Sequence, residues 1–193
     1  MKVLDLFCGL GGWSVPFVED GDEVIGVDHV KFKRYPGQQI VMDIMDLDGT
    51  RFRGMDLIIG SPPCDNFTKM KNIYNGTPRA RDVEAGLRLI REYERIVAEA
   101  EPRYWLMENV KNLSIQGWYK RKPIWTFRIS KQGYRNLWGN ITMPSINPTF
   151  NNGRRLSSRY GGKESAQRAK IPYKVARYVA DCVKELGDGH AGI

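Results

Sequence analysis

Cysteine and histidine are scarce in this 193-residue sequence, which has three of the first and two of the second. Cys8, Cys64 and Cys182 are an odd, widely spaced set, which is no disulfide framework. With only His29 and His190 beside them, no four-ligand zinc spacing can be written. A reducing, cytoplasmic compartment is the expectation. No apolar run approaches the roughly 20 residues that a bilayer span needs, so no membrane is expected. MKVLDLFCGL is too short in its apolar part for a signal peptide and runs at once into Gly11-Gly12, so it reads as a first strand. Internal repeats and low-complexity tracts are absent as well. Acidic residues are thin in the second half. Residues 101–193 carry 17 basic and 6 acidic side chains, against 13 and 16 in residues 1–100. The net charge of +8 is therefore carried by the second half. That asymmetry suggests a polyanionic partner, with a solvated basic surface as the plain alternative.

What is present is an ordinary globular composition, 41% hydrophobic, and a length that suits one domain over 1–193. Val3 to Phe7, Glu23 to Val27, Gln39 to Met42, Asp56 to Ile59 and Tyr104 to Met107 read as strands. Helical stretches fall at Ser14 to Glu19 and Asp82 to Ala100, the latter with Val83, Leu87, Ile90 and Val97 near one face. Strands alternating with helices predict a parallel α/β sheet, whose ligands gather at the carboxyl ends of the strands. Residues 1–112 form this core. Residues 113–165 differ: an aromatic-rich hairpin is expected to turn at Lys131-Gln132-Gly133, followed by a loop rich in Pro, Asn, Ser, Gly and Arg. Residues 166–187 carry a closing helix from Pro172 to Leu186, with Val175, Val179, Cys182 and Val183 on one side.

Polar groups collect where the strands end. DLFCGLGG, residues 5–12, places glycines where backbone can approach a ligand and a following helix start can offer N–H groups. Asp28, after the second strand, suits the hydroxyls of a ribose. Asp43, after the third, could accept a hydrogen bond from an adenine amino group. Each acid alone is more often a cap or turn residue, but three successive strand ends together favour an adenosine-containing cofactor. The turn lacks the Gly-Lys-Ser/Thr ending of a nucleotide triphosphatase loop. At the fourth strand end stands GSPPCDNFTK, residues 60–69, where Pro62 and Pro63 stiffen the chain before one thiol.

These stretches, in this order, resemble the cytosine-C5 DNA methyltransferases. DLFCGLGGW resembles their first motif, VDHV and MDI the ribose and adenine motifs, SPPCDNFT the catalytic Pro-Cys motif, and ENV (residues 108–110) the glutamate motif. AKIPYKVARYVADCV, residues 169–183, is similar to the helix of the last motif. The resemblance implies a class I, Rossmann-like S-adenosylmethionine-dependent fold: a mostly parallel seven-stranded sheet with helices on both faces. It implies cofactor contacts from Asp5, Phe7, Gly9, Leu10 and Gly12, from Asp28 and His29, from Asp43 and Ile44, and from Ser61 and Pro63. It makes Cys64 the nucleophile that adds to carbon 6 of cytosine and Glu108 the carboxyl that steadies N3, with Asn109 holding the loop. Arg155, within NNGRRLSSR, is the candidate for the family's arginine motif.

Departures from the family pattern carry expectations of their own. Asp65 replaces the usual Gln after the cysteine and should raise the thiol's pKa. Residues 66–83, with Lys69, Lys71, Arg79 and Arg81, read as a phosphate-touching loop. Arg168-Ala169 replaces a Gly-Asn that helps hold the cofactor. The residues after Val110 leave no room for a full target-recognition domain, which would suit a phage or viral enzyme. Trp118, Tyr119, Trp125, Phe127 and Trp138 lie among basic residues and could stack on bases, although strand core is the commoner fate. The expected partner is DNA. Three other readings are an RNA (tRNA) cytosine-C5 enzyme, an N4-cytosine amino-methyltransferase, and a non-catalytic nucleic-acid-binding protein or half of a split enzyme.

Overall fold

The computed structural model describes residues 1–67, 82–130, 133–143 and 171–188, together with a two-rung ladder between Ile73–Tyr74 and Thr77–Pro78. Seven strands form one sheet: β1 (Lys2–Leu6), β2 (Glu23–Asp28), β3 (Gln38–Val41), β4 (Leu57–Gly60), β5 (Tyr104–Val110), β6 (Trp125–Ser130) and β7 (Gly133–Gly139). The spatial order is β3-β2-β1-β4-β5-β7-β6. The first five run parallel, and β7 lies antiparallel between β5 and β6.

The central strands are apolar on both faces, as a sheet covered on two sides requires. Val3, Leu57, Ile59 and Leu106 face one side, and Leu4, Leu6, Ile58 and Met107 the other. The first face is covered by helix α1 (Ser14–Glu19) and the closing helix α4 (Tyr173–Asp188). Val175, Ala176, Val179, Ala180 and Val183 of α4 are fully buried, at the three-and-four spacing of one helix face. Ion pairs at its edge hold α4 to the end of α1: Arg177 and Lys184 each lie 2.6 Å from Asp20. The second face is covered by helix α2 (Val83–Ala100), which buries Ile90, Tyr93 and Ile96. The Asp82 side chain caps its first turn by accepting from the Ala85 N–H at 2.9 Å. Glu101 ends it in the left-handed region, just before Pro102. The core on the first face alone contains residues from Val3 to Val183.

One expected boundary needs correction, and two connections hold no α-helix. None joins β2 to β3 or β3 to β4. Residues 29–37 carry no helical period, and short 3-10 turns (Ile44–Asp46 and Gly49–Phe52) fill the second gap against α2. Strand β5 does not stop at Met107 but continues through Val110. Its extra rungs are supplied by β7, with Glu108 opposite Leu137, Asn109 opposite Asn136 and Val110 opposite Arg135. Glu108 and Asn109 are therefore held in a ladder rather than hung on a turn. Helix α3 (Asn112–Ile115) follows at once.

Asp5 is an unusual occupant of a central strand. It is 1% exposed and accepts a 2.5 Å hydrogen bond from the Ser14 hydroxyl, which also meets the Tyr35 hydroxyl at 2.7 Å. Burial drives its pKa up to about 7; the Ser14 bond opposes this and the charge of Asp28 adds to it. In the unfolded chain the group returns to its ordinary value of 3.8. Above pH 7 the folded state therefore carries a buried charge that costs stability, and the cost vanishes as pH falls towards 4. Asp5→Asn keeps an acceptor for Ser14 without the charge. It should stabilise the protein at pH 8 by on the order of 2 kcal/mol, with the gain shrinking by pH 5. Thermal denaturation at both pH values measures this, and a variant less stable than the parent at pH 8 would contradict it.

Candidate active site

The turn leaving β1 sets one wall of a cleft at the carboxyl edge of the sheet. Phe7 has φ +58°, a left-handed conformation that costs a non-glycine residue about 1 kcal/mol. Such strain persists where neighbours impose it, often at a binding site. Gly9 follows at φ +50°, and a Cβ added there would meet nothing within 4 Å, so the backbone faces open space. Asp28 ties the turn down. Its Oδ2 accepts from the Gly9 N–H and its Oδ1 from the Val30 N–H, both at 3.0 Å, and His29 Nδ1 lies 3.3 Å from Oδ1. Each carboxylate oxygen keeps acceptor capacity beyond these bonds.

Beside the turn lies a cavity of about 190 Å³, walled by Phe7, Val27, Met42, Ile44, Pro63 and Leu89, with Asp28, His29 and Asp43 at its edge. Asp43 accepts from the Met45 N–H at 2.9 Å, which holds its carboxylate at the rim. A second cavity of about 290 Å³ shares Phe7, Asp28, His29 and Pro63 with the first. It is lined further by Gly9, Leu10, Gly12, Trp13, Ser61, Cys64, Asp65, Glu108, Arg135 and Ile171. A mostly apolar cavity with acids at its edge, opening into a more polar chamber, suits an adenosine with a charged extension. Of the expected cofactor contacts, Asp5 alone lines neither cavity; it lies beneath the turn, bonded to Ser14.

The thiol is fixed by the strand next door. Asn109 donates from Nδ2 to the Pro62 carbonyl at 2.9 Å, and its own Oδ1 accepts from the Val110 N–H. The Phe67 N–H bonds the Cys64 carbonyl at 2.9 Å, closing a 3-10 turn over Asp65–Phe67. Asn112 then bonds the Phe67 carbonyl at 2.6 Å. Cys64 is half-buried, and burial pushes its pKa up to about 11. Arg135 pulls the other way, while Glu108 and Asp65 add to the rise.

Glu108 is 5% exposed and lies 2.8 Å from Arg135 through its Oε1. That Oε1 makes no hydrogen bond, so charge contact and hydrogen bond do not coincide. Burial raises the Glu108 pKa, with Arg135 and a bond from Ser61 opposing. The Ser61 hydroxyl in turn accepts from Trp13 Nε1 at 2.9 Å.

Arg135 is the functional candidate that sequence reading missed. Its signal is a register, not a motif: it stands two rungs beyond Glu108, on the antiparallel neighbour. Arg155 lies outside the described residues, as do Arg168-Ala169 and Lys69, Lys71, Arg79 and Arg81. The stacking expectation fails for Trp125, Phe127 and Trp138, which are 7%, 0% and 1% exposed and belong to the core. Trp118 and Tyr119 are half-buried, packed against Phe67 and Trp138 respectively.

A five-stranded parallel sheet extended by an antiparallel strand in this order, with its cleft at the switch between β1 and β4, is the class I methyltransferase fold. The family model described as C-5 cytosine-specific DNA methylase matches residues 1–139, and the chain belongs to that family. It is 28% identical over 128 residues to the type II methyltransferase M.XorII of Xanthomonas oryzae pv. oryzae, covering 58% of this chain and 28% of that protein. With M.FnuDI of Fusobacterium nucleatum it shares 30% over 121 residues, covering 58% and 33%. With M.HgiGI of Herpetosiphon aurantiacus it shares 30% over 122 residues, covering 58% and 91%. The chain thus spans about a third of the length of the first two of these relatives. The family uses S-adenosylmethionine as methyl donor. Among the described residues no helix is long and apolar enough to cross a membrane.

Cys8 and Cys182 are buried, so Cys64 is the thiol open to an alkylating reagent. With a pKa near 11, its iodoacetamide reaction should speed about tenfold per pH unit from pH 7.5 to 9.5. Asp65→Asn should accelerate the reaction at pH 8 by roughly two- to tenfold, and Arg135→Gln should slow it. Peptide mass spectrometry reads the rates. A pH-independent rate, or a slower Asp65→Asn variant, would refute this electrostatic account.

Proposed function

We propose that this chain transfers a methyl group from S-adenosylmethionine to carbon 5 of cytosine in DNA through a covalent adduct with Cys64. The observation that carries the reading is one continuous cleft. It joins the Phe7–Asp28–Asp43 slot to a chamber where Cys64, Glu108 and Arg135 converge.

Phe7, Ile44 and Pro63 would flank the adenine, with Asp43 at its amino edge. Asp28 would take the ribose hydroxyls, and the Gly9-Leu10 backbone, Gly12 and Ser61 would face the remaining chain of the cofactor. The bound cofactor supplies an electrophilic methyl group on a sulfonium. The protein makes carbon 5 nucleophilic. Cys64 gives up its proton to water, and its thiolate bonds to carbon 6 of the pyrimidine, breaking the ring's aromaticity. The displaced electron density moves towards N3. There the buried carboxyl of Glu108, its pKa raised, donates a proton or hydrogen bond. Arg135 orients that carboxyl and offsets the negative charge that develops. Carbon 5 would then take the methyl group, leaving the donor as a neutral thioether; water takes the carbon-5 proton, the carbon 6–sulfur bond breaks to release the Cys64 thiolate, and N3 returns its proton to Glu108, which restores the ring. Asn109 acts by position alone, holding the Pro62 carbonyl and hence the Cys64 backbone.

The target base must leave the stack to meet a thiol inside a cleft. The reaction belongs inside the cell, where genomic DNA and the methyl donor occur together. A thiol stands where an N4-cytosine enzyme of the Ser-Pro-Pro type places an aromatic ring, which favours carbon 5 as the target.

Incubation with labelled S-adenosylmethionine and duplex DNA, single-stranded DNA or tRNA tests the reading. Label should appear as 5-methylcytosine in DNA. Cys64→Ser should lower the rate at least about a thousandfold, and Glu108→Gln roughly tenfold or more. Label at N4, label in tRNA alone, or an undiminished Cys64→Ser rate would overturn it.

A further inference from the structure

The residue just before a helix is usually one whose side chain accepts a hydrogen bond from the first turn, such as Ser, Thr, Asp or Asn. Trp13 stands in that place before α1 and makes no capping bond. An indole has one polar group, an N–H that can only donate. Here it is directed to the end of another strand: Nε1 donates to the Ser61 hydroxyl at 2.9 Å, across 48 residues of chain. A local preference given up in this way points to a use elsewhere.

Both partners are held firmly. Trp13 is 3% exposed and lies in the core of the first face with Val3, Phe17 and Val24. Ser61 follows β4, and its backbone N–H bonds the Leu6 carbonyl at the end of β1, at 3.3 Å. Both residues line the chamber shared with Cys64, Glu108 and Arg135.

The polarity of the contact is then fixed. A serine hydroxyl has one hydrogen and two lone pairs. The indole takes a lone pair, so the hydrogen cannot lie on that bond. Glu108 is the acceptor it meets, and the Ser61 bond opposes the rise in that carboxyl's pKa. The chain runs one way, from indole to hydroxyl to carboxyl, and bonds in series polarise each other. This suits a carboxyl that must give up a proton. While Glu108 is neutral, a hydroxyl already donating to it leaves the acid's own hydrogen free for the base. Once that hydrogen has passed to N3, the new carboxylate is buried, and Ser61 and Arg135 already face it. Without the indole, the hydroxyl can turn and accept the carboxyl's hydrogen, which aims it away from the base.

We propose that Trp13 is a positioning residue for methyl transfer: its indole N–H fixes the Ser61 hydroxyl as a donor to Glu108 and so directs the acid's hydrogen towards N3 of the target cytosine. This rests on the reading that Glu108 meets N3. It also ties the acid to the glycine turn after β1, because Trp13 directly follows Gly12.

Trp13→Phe keeps a ring and removes the N–H. Ser61→Ala removes the same bond from the other end with the loss of one oxygen. Carbon-13 NMR of the glutamate carboxyls, in the protein without substrate and with Glu108→Gln for assignment, follows the acid directly. Arg135, Cys64 and Asp65, the charged and titratable groups of the chamber around it, are common to parent and variants. Both variants should move the Glu108 midpoint up, because a donor that favours the carboxylate has gone. The indole N–H proton gives a readout that needs no change at Trp13: its NMR shift should follow the Glu108 titration in the parent and not in Ser61→Ala. Single-turnover methyl transfer to cytosine in duplex DNA is then measured against pH. Thiolate from Cys64, with its pKa at about 11, grows with pH, while Glu108 must stay neutral. The rate should climb until Glu108 loses its proton and then level off. In the climbing region each variant should be about three- to tenfold slower, and the levelling point should move up. A folding lesion alone would scale the profile without moving that point. The double variant should be no slower than Ser61→Ala, since both changes act through one hydroxyl. An unmoved midpoint in Trp13→Phe, an indole shift blind to the Glu108 titration, or losses that add in the double variant would each overturn the role of Trp13. Raised midpoints in a protein that methylates no cytosine would leave the hydrogen-bond chain standing and overturn the catalytic reading. Normal cytosine methylation with midpoints and rates unchanged would overturn the role of Trp13 alone.

Discussion

A carboxyl buried beside a thiol, with one guanidinium to balance both, is the constraint on which the site depends. Glu108 has almost no access to water, and its Oε1 has a charge partner but no hydrogen bond. Such an acceptor is costly unless something uses it. Arg135 decides how costly. It opposes the rise in pKa of Glu108 and of Cys64 together, so the two acids share one cation. The resting site is consequently cautious: a largely protonated thiol, a carboxyl biased towards its neutral form, and a cation ready to compensate whichever loses its proton.

Strand pairing, more than any loop, supplies the precision. Cys64 follows a Pro-Pro turn at the end of β4, yet its place is fixed from β5 through Asn109 and the Pro62 carbonyl. Glu108 and Arg135 are held by the antiparallel ladder of β5 and β7. The glycine turn after β1 is joined to the same centre by Trp13 and Ser61. A substitution in one strand would therefore be felt in the next, and activity is expected to respond to core changes near the carboxyl edge as well as to the cleft residues.

Much of the fold was legible in the sequence because its signals are local. Apolar runs ending in glycine or acid marked β1 to β4, and the spacing of Val83, Leu87 and Ile90 marked α2. The Pro-Pro-Cys and Glu-Asn-Val stretches fell within one or two residues of where the cleft holds them. What stayed hidden is non-local. The extension of β5 depends on a partner strand some thirty residues downstream. Arg135 gains its role only from that pairing. Asp5 looked like a cleft residue because it shares a motif with Phe7 and Gly9, but a strand's alternation turns it beneath the turn, towards Ser14. The aromatic residues of the hairpin were ambiguous for the same reason: their alternation fits a binding face and a core face equally, and packing with α4 decided it for Trp125 and Phe127.

The central claim is that Cys64 bonds to the pyrimidine ring while Arg135 holds Glu108 in place. An oligonucleotide carrying 5-fluorocytosine traps that bond, because the fluorine cannot leave as the proton does. With S-adenosylmethionine present, intact mass and peptide mapping should find one oligonucleotide joined to the Cys64 peptide, and Arg135→Gln should form the adduct at least about tenfold more slowly. An adduct on another residue, or one formed equally fast without Arg135, would contradict the account.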